Sequence, residues 1–341
     1  MTRRKRLLTV FDKGVPDRVP IGMDCWPETR KRIYAHYGAE SHYDFYEKSS
    51  IDNFSLWDWP AAEPSYKGEP RPGVTDHTVS YGMWGAFGEN PCPMKDYSSY
   101  KWPSVGDLDF SRVKEKMLEA HEYDMVSIAG HVSVGYTHHN RVRNMEQALL
   151  DVTDDAFMED YMGRVREFYI SYLKALFAAA ERTIDIMRCD EDIGGNDTLV
   201  MSPAMWRKWY KPLWKEALGI CHENGCRAWM HSCGYCRPLV EDFIEIGADV
   251  LDPIPPYVKD SDPLDMKRAF GDRLCLHGGV NHIDAMVYGT PAVVRDEVRL
   301  RMEQMKPGGA YICGASQVLT DQMPLDNIIA MFDAILEYGR Y

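Results

Sequence analysis

Short apolar runs rich in β-branched residues alternate along the chain with longer stretches in which apolar residues recur every three or four positions. The runs with the length and composition of buried strands cover residues 20–25, 53–57, 125–130, 184–189, 226–231, 248–252, 273–277 and 309–313. A helical pattern covers residues 153–182, and another begins at Ser202-Pro203, an N-cap followed by proline, and ends near Gly225. Strands that are apolar on both faces and alternate with helices form parallel sheets. The pattern predicts an α/β fold, a (β/α)8 TIM barrel formed by residues 1–341 as a single domain.

The region 57–105 does not follow this alternation. It contains Trp57, Trp59, Trp84 and Trp102 and many Tyr, Gly and Pro residues. A connection of this length without a periodic pattern is uncommon unless it is functional. We predict an insertion that closes as a lid over the barrel mouth, and an ordinary packed loop region is the alternative.

Composition and charge argue against nucleic acid and membrane as partners. The chain has 341 residues, a net charge of −13 and 45% hydrophobic residues, whereas a nucleic-acid-binding protein needs a basic face. No apolar run approaches the roughly 18 residues of a membrane span, and the N-terminus lacks the apolar core of a signal peptide. Nine cysteines without an export signal predict a cytoplasmic protein with reduced thiols.

Polar residues stand where the predicted strands end. Because TIM-barrel active sites are built at the carboxyl ends of the strands, we expect these residues to surround one site. They are Asp24, Cys25, His131, Asp190, Glu191, Asp192, His231, Cys233, Asp252, His277 and Cys313.

The sequence HSCGYC, residues 231–236, allows two kinds of chemistry. Cys233 and Cys236 form a C-x-x-C pair at the start of a helix, as in a redox dithiol. His231 and Cys233, two residues apart at a strand end, point to the same face, and with Cys313 from a later strand they make a three-ligand zinc site with one open position. The absence of a thioredoxin-like βαβ pattern favours zinc, and buried core cysteines remain a third interpretation.

The second half of the chain resembles the uroporphyrinogen decarboxylase superfamily. The resemblance covers roughly residues 5–30 and 184–338 and is carried by PDRVPIGMD, MRCDEDIGGNDTLVMSPAMWRKWYKP, HSCGYCRPLVEDFIEIGADVLDPI, GDRLCLHGGVN and GGAYICGASQVLTDQMPLDNIIAMFDA. It implies the (β/α)8 fold. The superfamily divides into true decarboxylases and zinc-dependent methyltransferases that work with corrinoid proteins.

The chain is more similar to the methyltransferase branch. The decarboxylases carry an early RQAGR-type motif that grips acidic side chains of a tetrapyrrole, and the corresponding MDCWPETRKRIY lacks it. The methyltransferases, such as the coenzyme M enzymes, carry H-x-C and a distant Cys as zinc ligands, which His231, Cys233 and Cys313 match. Since the chain lacks the corrinoid-binding pattern D-x-H-x-x-G, the resemblance implies zinc as cofactor and a corrinoid (cobalamin) carried by a separate protein.

The aromatic-rich region favours a methoxylated aromatic compound as methyl donor, and so O-demethylation. Glu191 is the preferred fourth zinc ligand or proton donor, with Asp190 and His277 as further catalytic candidates. Candidate substrate-binding residues are Asp24, Trp57, Trp84, Tyr136, Asp252, Tyr257 and Asn281.

Three other functions stay open at this point: methyl transfer from a methylcorrinoid to a thiol, decarboxylation of an acidic tetrapyrrole or smaller acid, and non-catalytic binding of a corrinoid or tetrapyrrole. The expected partners are a corrinoid protein and a small methyl donor or acceptor, without nucleic acid or membrane. The sequence leaves open whether the chain forms a homodimer.

Overall fold

The computed structural model describes residues 1–52, 65–67, 100 and 102–341. The α-helices of these ranges are α1 (Arg3–Phe11), α2 (Pro27–Tyr37), α3 (His42–Lys48), α4 (Val113–Glu122), α5 (Tyr136–Arg143), α6 (Met145–Asp151), α7 (Asp155–Ala180), α8 (Pro203–Trp209), α9 (Lys211–Glu223), α10 (Val240–Ile246), α11 (Pro263–Phe270), α12 (Pro291–Met305) and α13 (Leu325–Tyr338). Short 3-10 helices cover Val105–Asp107 and Arg237–Leu239, and a π-helix covers His282–Val287. The strands are β1 (Ser65–Tyr66), β2 (Leu108–Asp109), β3 (Ile128–Val132), β4 (Ile186–Asp190), β5 (Arg227–His231), β6 (Val250–Ile254), β7 (Cys275–Val280) and β8 (Tyr311–Ala315).

The architecture is the predicted α/β barrel. Strands β3 to β8 are hydrogen-bonded in sequence order, and every pair is parallel. The segment 19–25 lies beside β8, where the Gly22 N–H donates to the Cys313 carbonyl at 2.8 Å and the Cys313 N–H donates to the Pro20 carbonyl at 3.0 Å. This segment pairs at two isolated positions, Ile21 with Cys313 and Cys25 with Leu319, and not as the continuous strand predicted over 20–25.

Burial of the strands explains their apolar sequences. Every residue of β4, β6 and β8 is buried, because the barrel interior covers one face and the helices cover the other. The polar exceptions within these strands, such as Arg188 and Asp252, therefore need partners inside the protein.

The helix predicted from Ser202 to Gly225 starts as expected but is divided. The Ser202 hydroxyl accepts the Met205 N–H at 3.3 Å, and Pro203 occupies the first turn of α8. The helix is interrupted at Tyr210, and a second helix, α9, begins at Lys211. Pro212 has no N–H to continue the helical hydrogen bonds, which accounts for the division.

Two predictions fall outside the described residues. The strand at 53–57 is one of them, and the other is the lid over 57–105, including Trp57 and Trp84. Among the described residues in and beside the region 57–105, β1 pairs with β2 in an antiparallel ladder, and the Trp102 ring lies 5.7 Å from that of Tyr161. No helix within the described ranges is both long and apolar enough to cross a membrane.

Candidate metal centre

The carboxyl ends of three neighbouring strands bring the candidate residues together. The register pairs Asp190 of β4 with His231 of β5, and His231 with Asp252 of β6. Side chains at and just beyond these positions therefore meet at one edge of the barrel, as expected for this fold.

His231, Cys233 and Asp192 form a compact cluster at this edge. The His231 Nε2 atom lies 3.0 Å from Cys233 Sγ and 3.5 Å from Asp192 Oδ1. The Cys233 N–H donates to the same Asp192 oxygen at 3.1 Å. One potential ligand atom from each residue lies within 4.8 Å of the other two. The structure thus places His231 and Cys233 together and adds Asp192.

Asp252 fixes the orientation of the His231 ring. The Nδ1 atom of His231 lies 2.8 Å from Asp252 Oδ2. A carboxylate only accepts hydrogen bonds, so Nδ1 carries a proton and Nε2 is left to face the cluster. Burial lowers the pKa of His231, but the Cys233 sulfur and Asp252 outweigh burial and raise it well above its usual value.

These donor atoms fit a zinc ion. An imidazole nitrogen, a thiolate sulfur and a carboxylate oxygen are all common zinc ligands, and three protein ligands leave the fourth position for a reacting molecule. The carboxylate on the far nitrogen of the imidazole is the usual companion of a zinc-bound histidine.

Gln317 approaches the cluster from the loop after β8. Its Nε2 atom lies 3.7 Å from Cys233 Sγ, while its Oε1 accepts the Val318 N–H at 3.1 Å. The second hydrogen bond decides the orientation of the amide. Gln317 therefore directs an N–H donor at the sulfur of Cys233.

The structure does not bring Cys313, the expected third zinc ligand, into this cluster. Cys313 is fully buried, and its thiol interacts with Tyr311, Arg301 and Glu297. Arg301 and Glu297 belong to α12, so the thiol lies on the helix side of β8. Burial raises the pKa of this thiol to about 12, which also opposes the thiolate form that a metal needs.

Glu191, the preferred proton donor or fourth ligand, also faces away from the cluster. Its Oε1 atom accepts the Tyr136 N–H at 3.1 Å and the Trp206 indole N–H at 2.6 Å. Side chains alternate along the extended chain, so Glu191 points to helices α5 and α8 while Asp192 reaches the cluster. Tyr136, a predicted substrate-binding residue, is likewise buried in this helix layer.

The burial of Glu191 has a measurable consequence. Burial raises its pKa from 4.5 to about 7, so Glu191 favours the folded state most below pH 4.5, and this contribution is lost as the pH rises towards 7. The loss is on the order of 3 kcal/mol. We expect the difference in free energy of unfolding between wild type and Glu191→Gln to change by this amount between pH 4.5 and 8, as measured by urea unfolding. The exposed Glu223→Gln is the matched control, and a Glu191→Gln difference that is flat with pH contradicts the assignment.

A cavity lies inside the barrel next to the cluster. Its wall includes Asp24, Arg188, His231, Asp252 and His277, so the structure places three of the other predicted site residues on one surface. The apolar part of the wall is formed by Ile128, Ile186, Trp229, Pro253, Ala315, Val318 and Leu319.

Asp252 is the centre of the buried charges in this cavity. Its Oδ2 lies 2.7 Å from Arg188 Nη1 and accepts from His231, and its Oδ1 accepts from His277 Nδ1. Arg188 also pairs with Asp190 at 3.3 Å. Burial raises the pKa of Asp252, but the Arg188 guanidinium and the hydrogen bonds that Asp252 accepts from His231 and His277 outweigh burial and hold this pKa well below its usual value.

A comparison with protein families identifies the family of the chain. The sequence profile described as Uroporphyrinogen decarboxylase (URO-D) matches residues 116–338. The chain belongs to the URO-D family. A comparison with curated protein sequences finds no match.

One solved structure shares the fold of this URO-D family member, and two others are less similar. A methyltransferase from Methanosarcina mazei is similar with a TM-score of 0.65 and 18% identity, over 99% of each chain. D-psicose 3-epimerase from Clostridium cellulolyticum H10 has a TM-score of 0.41 and 14% identity, over 66% of this chain and 81% of its own. Rutinosidase from Aspergillus niger has a TM-score of 0.42 and 11% identity, over 95% of this chain and 99% of its own.

The remaining predicted site residues of this URO-D family member are spread more widely. Tyr257 lies at the rim, its ring 5.0 Å from that of His282, and burial and the nearby Cys233 raise its pKa to about 12. Asn281 is used structurally, because its Oδ1 accepts the Ile283 and Asp284 N–H groups, each at 3.0 Å, at the start of the π-helix.

The second cysteine of the C-x-x-C pair does not have the environment of a redox thiol. Cys236 is buried, and burial raises its pKa to about 12, whereas a redox-active thiol needs a lowered pKa. Cys233 and Cys236 are both free thiols.

Sequence reasoning missed Arg188, Gln317 and Trp229. One signal was available for Arg188, since a charged residue within an apolar strand must be paired when buried. Gln317 and Trp229 carry no such signal, because loop amides and strand tryptophans are common without a role in a site.

Proposed function

We propose that this chain is a zinc-dependent methyltransferase that moves a methyl group between a small donor, favoured as a methoxylated aromatic compound, and the corrinoid of a separate protein. The observation that carries the proposal is the cluster of His231, Cys233 and Asp192 at the carboxyl end of the barrel. Membership of the URO-D family and the fold shared with a methyltransferase support the reaction class.

Each residue of the cluster has a defined task. His231, Cys233 and Asp192 hold the metal. The third ligand is then Asp192, rather than Cys313 as expected from the sequence. Asp252 keeps the His231 Nε2 directed at the site, and Gln317 donates to the Cys233 sulfur. When bound, zinc supplies a Lewis acid at the ether oxygen and the corrinoid supplies the methyl acceptor.

The cavity provides the remaining requirements for the transfer. Its apolar wall, which includes Ile128, Ile186 and Val318, excludes water and packs against the organic part of the donor. Positioning of the two reactants contributes much of the rate in such a transfer, and the rigid strand ends on both sides of the cavity provide it.

The same cavity gives little support to a decarboxylase of an acidic tetrapyrrole. Such a substrate needs several cations. Arg188 is the only Arg or Lys among the cavity-lining residues that the structure describes, and Asp252 and Asp190 already neutralise it.

The proposal is tested by methyl transfer in solution. The zinc-loaded chain, incubated with cob(I)alamin and a panel of methoxylated phenyl compounds, is expected to yield methylated corrinoid, followed by visible absorption. Cys233→Ala should reduce the rate to that of the uncatalysed reaction because it removes a metal ligand. Cys313→Ala is the matched control and should retain activity, since that thiol faces α12.

The outcomes separate the candidate functions. Failure with the whole panel, together with methyl transfer from methylcorrinoid to a thiol, replaces the ether donor by the thiol acceptor. Failure of both reactions with zinc-loaded protein overturns methyl transfer.

A further inference from the structure

Two buried polar atoms beside the metal centre lack a partner. Nε2 of His277 and Nε1 of Trp229 make no hydrogen bond to any part of the chain that the structure describes. Both residues line the same cavity, and they are only 6% and 3% exposed. Buried polar atoms are nearly always satisfied in native proteins, so this pair requires a partner other than the residues that the structure describes.

The hydrogen-bonding character of His277 follows from its other nitrogen. Nδ1 of His277 faces Oδ1 of Asp252, and since a carboxylate only accepts, Nδ1 carries the proton. In this tautomer Nε2 carries the lone pair of the ring. His277 therefore needs a group that donates.

Trp229 has the opposite requirement. An indole nitrogen only donates, so Trp229 needs an acceptor. The two ring centroids are 5.1 Å apart, with 58° between the ring planes. Neither ring uses the other as its partner, although one donates and the other accepts.

The backbone at residue 22 packs closely against His277. Gly22 lies against this ring, and a Cβ atom at residue 22 would stand 2.2 Å from Nε2. Any other residue at this position would close off the nitrogen. Residue 22 must therefore be glycine for the His277 ring to keep this position.

We propose that this part of the cavity binds a hydroxyl group of the substrate, which donates to His277 Nε2 and accepts from Trp229 Nε1. A hydroxyl is the simplest group that both donates and accepts, and the surrounding Ile128, Ile186 and Leu319 suit an aromatic or aliphatic body attached to it. The inference rests on the proposed function and deepens it, since it makes the small methyl donor a hydroxylated compound.

Three probes of similar shape test the two hydrogen bonds separately. Phenol donates and accepts, anisole only accepts, and toluene does neither. By calorimetric titration, wild type is expected to bind phenol about tenfold or more tighter than anisole, and anisole several-fold tighter than toluene, since each lost hydrogen bond leaves a buried group unpaired. His277→Phe should abolish the preference for phenol over anisole, and Trp229→Phe the preference for anisole over toluene.

Matched controls lie outside the cavity. Trp214 is buried beside Glu191, and His222 is an exposed histidine on α9 paired with Asp249, so Trp214→Phe and His222→Phe should leave both preferences intact. The Cys233→Ala variant should also keep them. Because that variant lacks a metal ligand and no methyl transfer is measured, the result is independent of whether the proposed reaction is correct.

A crystal structure with 4-bromophenol provides a test that needs no variant. The inference predicts the phenol oxygen within hydrogen-bond distance of both His277 Nε2 and Trp229 Nε1, with the bromine located by its anomalous signal. Equal affinities of the three probes, absence of phenol binding, or an ordered water at these atoms with the phenol elsewhere would each overturn it.

Discussion

Wild-type protein purified without chelator is expected to carry about one zinc ion per chain, and Cys233→Ala is expected to lose nearly all of it. The thiolate of Cys233 is the only soft ligand in the cluster with His231 and Asp192, so its removal leaves a nitrogen and an oxygen that hold zinc weakly. His231→Ala should have the same effect, and Asp192→Ala should weaken binding. Elemental analysis of the dialysed proteins measures the occupancy.

Two other cysteines serve as matched controls for zinc content. Cys313→Ala and Cys236→Ser each remove a buried thiol that does not belong to the cluster, so both variants should keep full occupancy. Loss of zinc in Cys313→Ala with retention in Asp192→Ala would restore the ligand set expected from sequence. Loss in Cys236→Ser would favour the C-x-x-C pair.

The order of strands and helices in the barrel is predictable from sequence because burial on both faces leaves a direct pattern. β4, β6 and β8 are buried at every position, and parallel sheets covered on both faces need such continuous apolar runs between helices. The pairing of His231 with Cys233 is predictable for a similar reason. Two residues separated by one intervening residue on an extended chain share a face.

The sequence does not show which of Asp190, Glu191 and Asp192 faces the cluster. All three follow one strand, and the sequence does not say where the strand ends or which face looks into the barrel. In the structure β4 ends at Asp190. Asp190 pairs with Arg188 inside the barrel, whereas Glu191 turns to the helices.

The expectation for Cys313 depended on the predicted end of one strand. The sequence pattern ends that strand at residue 313, but β8 runs from Tyr311 to Ala315. Cys313 therefore lies within the strand and faces α12, and Gln317 reaches the site from beyond the strand end.

A common spacing connects three of the four residues at the candidate metal centre, all except His231. Asp192, Cys233 and Gln317 each lie two residues beyond the last residue of their strand, which is Asp190, His231 and Ala315 respectively. The carboxyl ends of parallel barrel strands form one ring, so residues at the same distance beyond those ends arrive at a common level. Correct strand ends, rather than the residue types, decide the membership of the site.

Asp252→Ala is expected to lower the free energy of unfolding of the zinc-free chain by about 3–5 kcal/mol, because it leaves the buried Arg188 guanidinium without its nearest carboxylate. Arg188 Nη1 lies 2.7 Å from Asp252, and both side chains are less than one-tenth exposed. Urea unfolding in the presence of chelator measures this cost without a contribution from metal binding. Asp272, whose side chain is 80% exposed, provides the control, and Asp272→Ala should change the free energy by less than about 0.5 kcal/mol.

Two further variants test the ion pair of Asp252 with Arg188 and the effect of Asp252 on zinc binding. Arg188→Met combined with Asp252→Ala should cost less than the sum of the single changes, since residues in one ion-pair network are coupled. Asp252→Asn keeps the volume of the side chain and should fold, yet it should weaken zinc binding about 10–100-fold because His231 loses its carboxylate partner; competition with a chromophoric chelator measures this. A chain in which Asp252→Ala is as stable as Asp272→Ala, or in which Asp252→Asn binds zinc as tightly as wild type, contradicts the role given to Asp252. If instead the stability falls and the zinc affinity does not, Asp252 neutralises Arg188 without orienting His231.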